Sequence, residues 1–216
     1  MTTKKDSRVV FGLSELADTF KLEINLKGVC TVLENWLNTT STFTDAETQF
    51  LEELYLDVQT DGNYWNEEEL KIEMIGLMFR IAKVKVPNQI KVFYERDIAA
   101  IVEGYNLGVK ADCLVAMPLP YNTPKTPYFF LQEYKKGRGE AKDPEAQMLT
   151  AMLIAQERNQ DNKPIYGSYL FGSRWRFTTL IGKTYCTSRE FNAEEKADFL
   201  QIIFILRNLK TVILNR

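Results

Sequence analysis

The chain reads as an α+β protein, an α/β/α sandwich in which helices flank a central mixed sheet. Three observations predict it. From residue 66 onward the periodicity runs helix, three strands, helix, two or three strands, helix, which is an α+β order. Ahead of that, residues 1–60 read as helical. The chain has 216 residues, 45 % of them hydrophobic, enough to bury a sizeable core without disulfides or metals. The reading is one domain overall, with residues 1–60 a helical N-terminal extension packed on a core of residues 61–216.

Each element has its own signal. Leu13, Leu16, Phe20 and Ile24 form a loose helical stripe. Thr44-Asp45-Ala46-Glu47 is a capping-box pattern that starts a second helix, ended by Asp61-Gly62-Asn63. A third helix begins at Asn66, with Glu67, Glu68 and Glu69 in its first turn and a stripe of Leu70, Met74, Leu77, Met78 and Ile81. Residues 90–103 are rich in β-formers, and Gly104-Tyr105-Asn106 reads as a hairpin turn into Val109–Met117. A loop with Pro118, Pro120 and Pro124 precedes a third strand, Tyr128–Lys135. Asp143-Pro144 supplies an N-cap and a first-turn proline for a helix to about Arg158. Strands follow at Ile165–Phe171, Arg174–Ile181 and Thr184–Thr187, and Asn192 with Glu195 caps a last helix.

Composition removes whole classes of chemistry. The chain contains no histidine, which excludes Ser-His-Asp and Cys-His nucleophile schemes and histidine-ligated zinc. Lys and Arg number 27 against 29 Asp and Glu, so any nucleic-acid contact must use a local basic surface. Cys30, Cys113 and Cys186 share no short spacing, which fits structural thiols in a reducing compartment. Lys4, Lys5 and Arg8 are followed by no long apolar run, and no 18-residue apolar stretch occurs. A cytoplasmic protein with no membrane partner is the expectation.

One constellation carries chemistry. Asp112 lies on the second strand, and the third reads Phe129-Phe130-Leu131-Gln132-Glu133-Tyr134-Lys135. Strand side chains alternate, so Glu133 and Lys135 share a face, which continues that of Phe129 and Leu131. If the two strands are neighbours, Asp112 joins them. Two carboxylates side by side make a site for a hard cation such as Mg²⁺ or Mn²⁺, and a lysine beside them assists an attacking water.

Asp112, twenty intervening residues and Glu133-x-Lys135 on an apolar strand resemble the PD-(D/E)XK nuclease superfamily, which includes many restriction endonucleases. The order of elements between about residues 66 and 171 is similar to that superfamily's core. The segment Tyr128 to Gln156 is also similar to an uncharacterised bacterial group within it. The resemblance implies a restriction-endonuclease-like core and a metal-dependent nuclease: Asp112, Glu133 and Lys135 catalytic, with Glu69, Asp112 and Glu133 as metal ligands. Glu73 is the second choice for the helix carboxylate, and Gln147 matches a glutamine near the start of the second core helix. Ala111 stands where the motif's name has proline.

Basic residues supply candidate substrate contacts. Lys136 and Arg138 follow the motif directly, and Arg174 and Arg176 flank Trp175. Phosphate contact and stacking are the functional readings; a solvated turn and a hairpin with a structural tryptophan are the plain ones. A surface salt bridge is the plain reading of Glu133 and Lys135, and an exposed first-turn acid that of Glu69. The expected partner is nucleic acid, DNA ahead of RNA, with a homodimer left open. The competing function is a catalytically silent nuclease-like module with a binding or assembly role.

Overall fold

A computed structural model of the protein describes residues 10–25, 30–136 and 143–216. Its chain order is α1 (Leu13–Phe20), β1 (Glu23–Asn25), α2 (Thr31–Leu37), α3 (Asp45–Asp61), α4 (Glu67–Glu69), a π-helical stretch (Leu70–Ile75) and α5 (Gly76–Ile81). There follow β2 (Lys91–Val102), β3 (Tyr105–Leu119), β4 (Thr123–Lys135), α6 (Pro144–Asn159), β5 (Ile165–Phe171), β6 (Arg174–Ile181), β7 (Thr184–Thr187), β8 (Phe191–Asn192) and α7 (Lys196–Leu214). The strands form one mixed sheet in the order β1-β7-β6-β5-β4-β3-β2, with β8 paired to β6. β4/β5 and β1/β7 are parallel, and the other pairs antiparallel. The parallel β4/β5 pair needs a crossover, which α6 supplies.

Helices cover both faces, so the mixed α+β class holds. On one face α2, α3, α5 and α7 bury Trp36, Leu54, Met78, Phe130, Ile205 and Leu206. On the other, α1 and α6 bury Leu16, Phe20, Leu131, Leu149 and Met152. α6 is buried from Met148 to Ala155 without a break, the pattern of a helix enclosed on most sides. It lies close enough to β5 that a Cβ on Gly167 would sit 2.9 Å from Thr178 Oγ1 and 3.0 Å from Met148 Sδ, so any side chain there requires both to shift.

Two of the capping signals act as read. Thr44 accepts from the Glu47 N–H, and Glu47 accepts from the Thr44 N–H. Asp143 accepts from the N–H groups of Glu145 and Ala146 at the start of α6.

Other expectations are corrected. The first helix stops at Phe20 because Lys21 turns left-handed (φ 50°), so Ile24 belongs to β1. The hairpin turns on Glu103 and Gly104, both at positive φ, rather than on 104–106. β4 begins at Thr123, so Pro118 and Pro124 lie in paired strands and Pro120 alone opens a short turn. α7 starts after Glu195; Asn192 is in β8 and accepts from the Glu194 N–H instead of capping the helix. Phe129 packs with Phe130 on the α7 side and not on the face of Leu131, because the β3/β4 register shifts at Val115/Ala116 and Ala116/Met117.

Trp36 anchors the larger core. Its indole N–H donates to the Ile205 carbonyl at 3.0 Å, and its ring meets Tyr166 and Phe177 edge-on at 5.1 and 5.2 Å. Trp36→Ala is expected to cost about 3–5 kcal/mol in chemical denaturation, with a lower midpoint and little change in slope.

Candidate functional site

The site is built where the strand pattern breaks. On β3, Leu107, Val109 and Ala111 face the α6-side core, and so do Leu114 and Ala116. The alternation therefore changes phase at Asp112 and Cys113. Across from them, Glu95 adopts φ 55° between Tyr94 and Arg96, which pair with Cys113 and Ala111. A non-glycine residue held at positive φ inside a strand is strained, and such strain gathers at functional sites. The β3/β4 ladder ends at Cys113↔Gln132. One residue on, the Asp112 carboxylate replaces a backbone acceptor and takes the Tyr134 N–H at 3.0 Å.

Glu133 follows directly on β4. It is 1 % exposed, and neither carboxylate oxygen has a hydrogen-bond donor among the described residues. Its carboxyl is raised well above the usual carboxylate range, first by burial and then by the Asp112 charge, against a smaller opposing pull from Lys135. Asp112 is raised as well, by burial, although the Tyr134 N–H and Lys135 pull the other way. Burying two adjoining carboxylates beside a single ammonium favours a shared proton or an added positive charge.

Lys135 is buried beside them. Its ammonium lies 3.7 Å from Asp112 Oδ2 and 3.6 Å from Glu67 Oε1, and donates to the Tyr134 carbonyl at 3.0 Å. The second-strand aspartate and both motif residues of the third strand are thus brought together. The helix carboxylate that joins them is Glu67. Glu69 is taken up as a cap, accepting the Asn66 N–H at 2.7 Å in a capping box, and Glu73 is exposed on the π-helical stretch. Among the described residues no group of three or more Asp, Glu or Cys side chains is placed to hold a metal ion, so the Glu69–Asp112–Glu133 set does not assemble.

A charge chain borders the cluster. Lys71 bridges Glu68 and Glu95 at 2.7 Å each, and Glu95 reaches Lys110 at 2.5 Å. Burial opposes the charge on Lys71, yet Glu68 and Glu95 outweigh it and raise its pKa. The strained Glu95 is thereby held charged next to Asp112, by Lys110 and Lys71 against its own burial.

The other expected residues are scattered. Gln147 is on α6, its side-chain carbonyl oxygen buried without a donor among the described residues, and lines a cavity of about 230 Å³ with Phe11, Gly108, Lys110 and Thr150. Arg174 and Arg176 both reach Glu190, at 3.3 and 3.8 Å, either side of the buried Trp175. Lys136 is exposed at the end of β4, and Arg138 lies outside the described residues.

Sequence reading missed a polar row across the sheet. Tyr169 on β5 stands opposite Glu133, and Arg176 on β6 opposite Tyr169. Glu145, from the first turn of α6, accepts from the hydroxyls of Tyr185 and Thr187 at 3.2 and 3.3 Å. Burial and then Glu145 raise the Tyr169 phenol, so it stays a neutral donor. The row extends the carboxylate pair into a polar strip facing α6. Compared with known proteins, the chain matches no family model and no curated protein sequence.

Proposed function

We propose that Asp112, Glu133 and Lys135 form the centre of a divalent-cation-dependent phosphodiesterase of PD-(D/E)XK type, acting on nucleic acid with DNA as the first substrate to test. The observation that carries this reading is the buried pair Asp112–Glu133, in which neither Glu133 oxygen has a hydrogen-bond donor among the described residues and the two charges repel. That donor set suits Mg²⁺ or Mn²⁺, which take oxygen ligands, and Asp112 and Glu133 are the residues that would hold it. Such a cation, when bound, supplies Lewis-acid polarisation of water and phosphate. The remaining roles belong to the chain. The Tyr134 N–H fixes the Asp112 carboxylate at the split between β3 and β4. The Lys135 ammonium, 3.7 Å from Asp112, sits where it orients an attacking water and offsets charge developing on the phosphate. Glu67 holds that ammonium from the helix side.

One observation favours a second reading, a nuclease-like module that binds without cutting: the third carboxylate, Glu69, is consumed in capping. A single preparation separates the two. Titration calorimetry with Mn²⁺ is expected to show binding that Asp112→Asn removes, and plasmid or single-stranded DNA is expected to be cut only with Mg²⁺ or Mn²⁺ present. Cation binding without cleavage of any substrate supports the silent module. Absence of both overturns the site altogether.

A further inference from the structure

Between Glu73 and Glu95 the chain carries Arg80, Lys83, Lys85 and Lys91 and no acidic residue, although the protein as a whole has a formal charge of −2. The fold gathers these four cations around one cleft of about 430 Å³, floored by Phe79, Val92 and Tyr94. That volume falls within the ~300–1,000 Å³ range of small-molecule sites. Lys83 is committed to Glu47 at 2.7 Å, and Lys91 lies over the Phe93 ring at 5.7 Å. Arg80 and Lys85 are exposed and make no ion pair among the described residues.

Helix capping does not account for this charge. The carbonyls at the end of α5 are already satisfied: Met78 by the Ala82 N–H, Arg80 by the Lys83 N–H, and Ile81 by the Arg207 guanidinium at 3.0 Å. The connection that carries Lys85 and Lys91 is stiff, closed by reciprocal Val86–Ile90 backbone hydrogen bonds at 2.9 Å. The backbone that carries Lys85 is therefore held in place beside an apolar floor, which lowers the ordering cost of binding an anion to that of the side chains' own rotamers.

We propose that this cleft binds a nucleoside phosphate, its base against Phe79, Val92 and Tyr94 and its phosphate between Arg80 and Lys85. The chemistry is shared by a free nucleotide and by one unit of a polynucleotide strand. The cleft and the carboxylate site share one strand pair: Tyr94, which lines the cleft, pairs with Cys113 next to Asp112. The strand version rests on the nuclease reading, whereas the binding chemistry does not.

The test is binding without chemistry. In EDTA, fluorescently labelled oligothymidylate and, separately, thymidine 5′-phosphate and inorganic phosphate are titrated into the full chain. Wild type is expected to bind the thymidine compounds at least ~10-fold more tightly than inorganic phosphate, with affinity falling as salt rises. An Arg80→Glu/Lys85→Glu variant is expected to lose at least ~10-fold in affinity, and the salt slope for the oligonucleotide to fall by about 0.7 per lost contact. A Lys21→Glu/Lys163→Glu variant, with the same change in net charge, should bind as wild type does. Thermal unfolding and Mn²⁺ calorimetry on the Arg80/Lys85 variant check the fold and the carboxylate site independently. Tighter binding of the oligonucleotide marks a strand site, and equal binding of the mononucleotide marks a nucleotide site; both uphold the proposal. No binding by wild type, equal losses in both charge variants, or inorganic phosphate binding as tightly as thymidine phosphate would overturn it.

Discussion

Asp112→Asn and Lys135→Met are each expected to abolish cation-dependent DNA cleavage, by at least ~10²–10³-fold in single-turnover rate, while the protein still folds. The Asp112→Asn change keeps an oxygen to receive the Tyr134 N–H, so the parting of β3 and β4 survives while one charge on the cation site is lost. The Lys135→Met change keeps the bulk of the lysine stem but removes the ammonium that stands 3.7 Å from Asp112 and 3.6 Å from Glu67. The two variants should differ in Mn²⁺ calorimetry. Asp112→Asn weakens the cation site directly, whereas Lys135→Met takes a competing positive charge away from it and leaves binding intact. Full activity in either variant would remove these residues from the mechanism.

The second large effect is on stability, and its sign is unusual for a carboxylate. Glu133 is raised above its ordinary value of 4.5 in the folded protein, so the native state holds a proton that the unfolded chain releases. Stability from this group is fully present below pH ~4.5 and is lost as pH rises toward the folded pKa, by about 1.4 kcal/mol per pH unit for one proton. In EDTA, the melting temperature of the parent should therefore fall with rising pH across this window. Glu133→Gln removes the titration, flattens that part of the profile and makes the variant more stable than its parent at neutral pH. Added Mn²⁺ should reverse the order, because only the parent gains stability from ligand binding. A parent profile that does not fall above pH ~4.5 in EDTA, or that Glu133→Gln leaves unchanged, would show that the pair is not charged against its environment.

What could be read in the chain follows from the range of each signal. The carboxylate–lysine cluster was legible because strand alternation is local: it puts Glu133 and Lys135 on one face, and Asp112 joins them once β3 and β4 pair, which the sequence left as a condition. The helix carboxylate was not, for a geometric reason. A uniform 3.6-residue period from Leu70 to Ile81 places Leu77 and Ile81 in the core, where they pack half-buried, whereas past the π-helical stretch Ile75 and Phe79 are the buried residues. Ahead of that stretch, Glu67 lies 3.6 Å from the Lys135 ammonium. Part of the answer was nevertheless present: Asn66 followed three residues later by Glu69 is a capping-box pattern, which already gave Glu69 a structural task. The Tyr169–Arg176 row and β1 left no local trace. Both depend on which distant strands pair, and β1 is only three residues long.

The placement of β1 also bears on how the protein keeps to itself. Glu23, Ile24 and Asn25 run parallel to Thr184, Tyr185 and Cys186, so these residues form the border of the sheet on that side. Without them β7 would offer a bare row of amide and carbonyl groups, the template on which a second chain adds a strand. β1 thus acts as a hem: without these three residues β7 would become a sticky margin, along which copies could join into a continuous sheet.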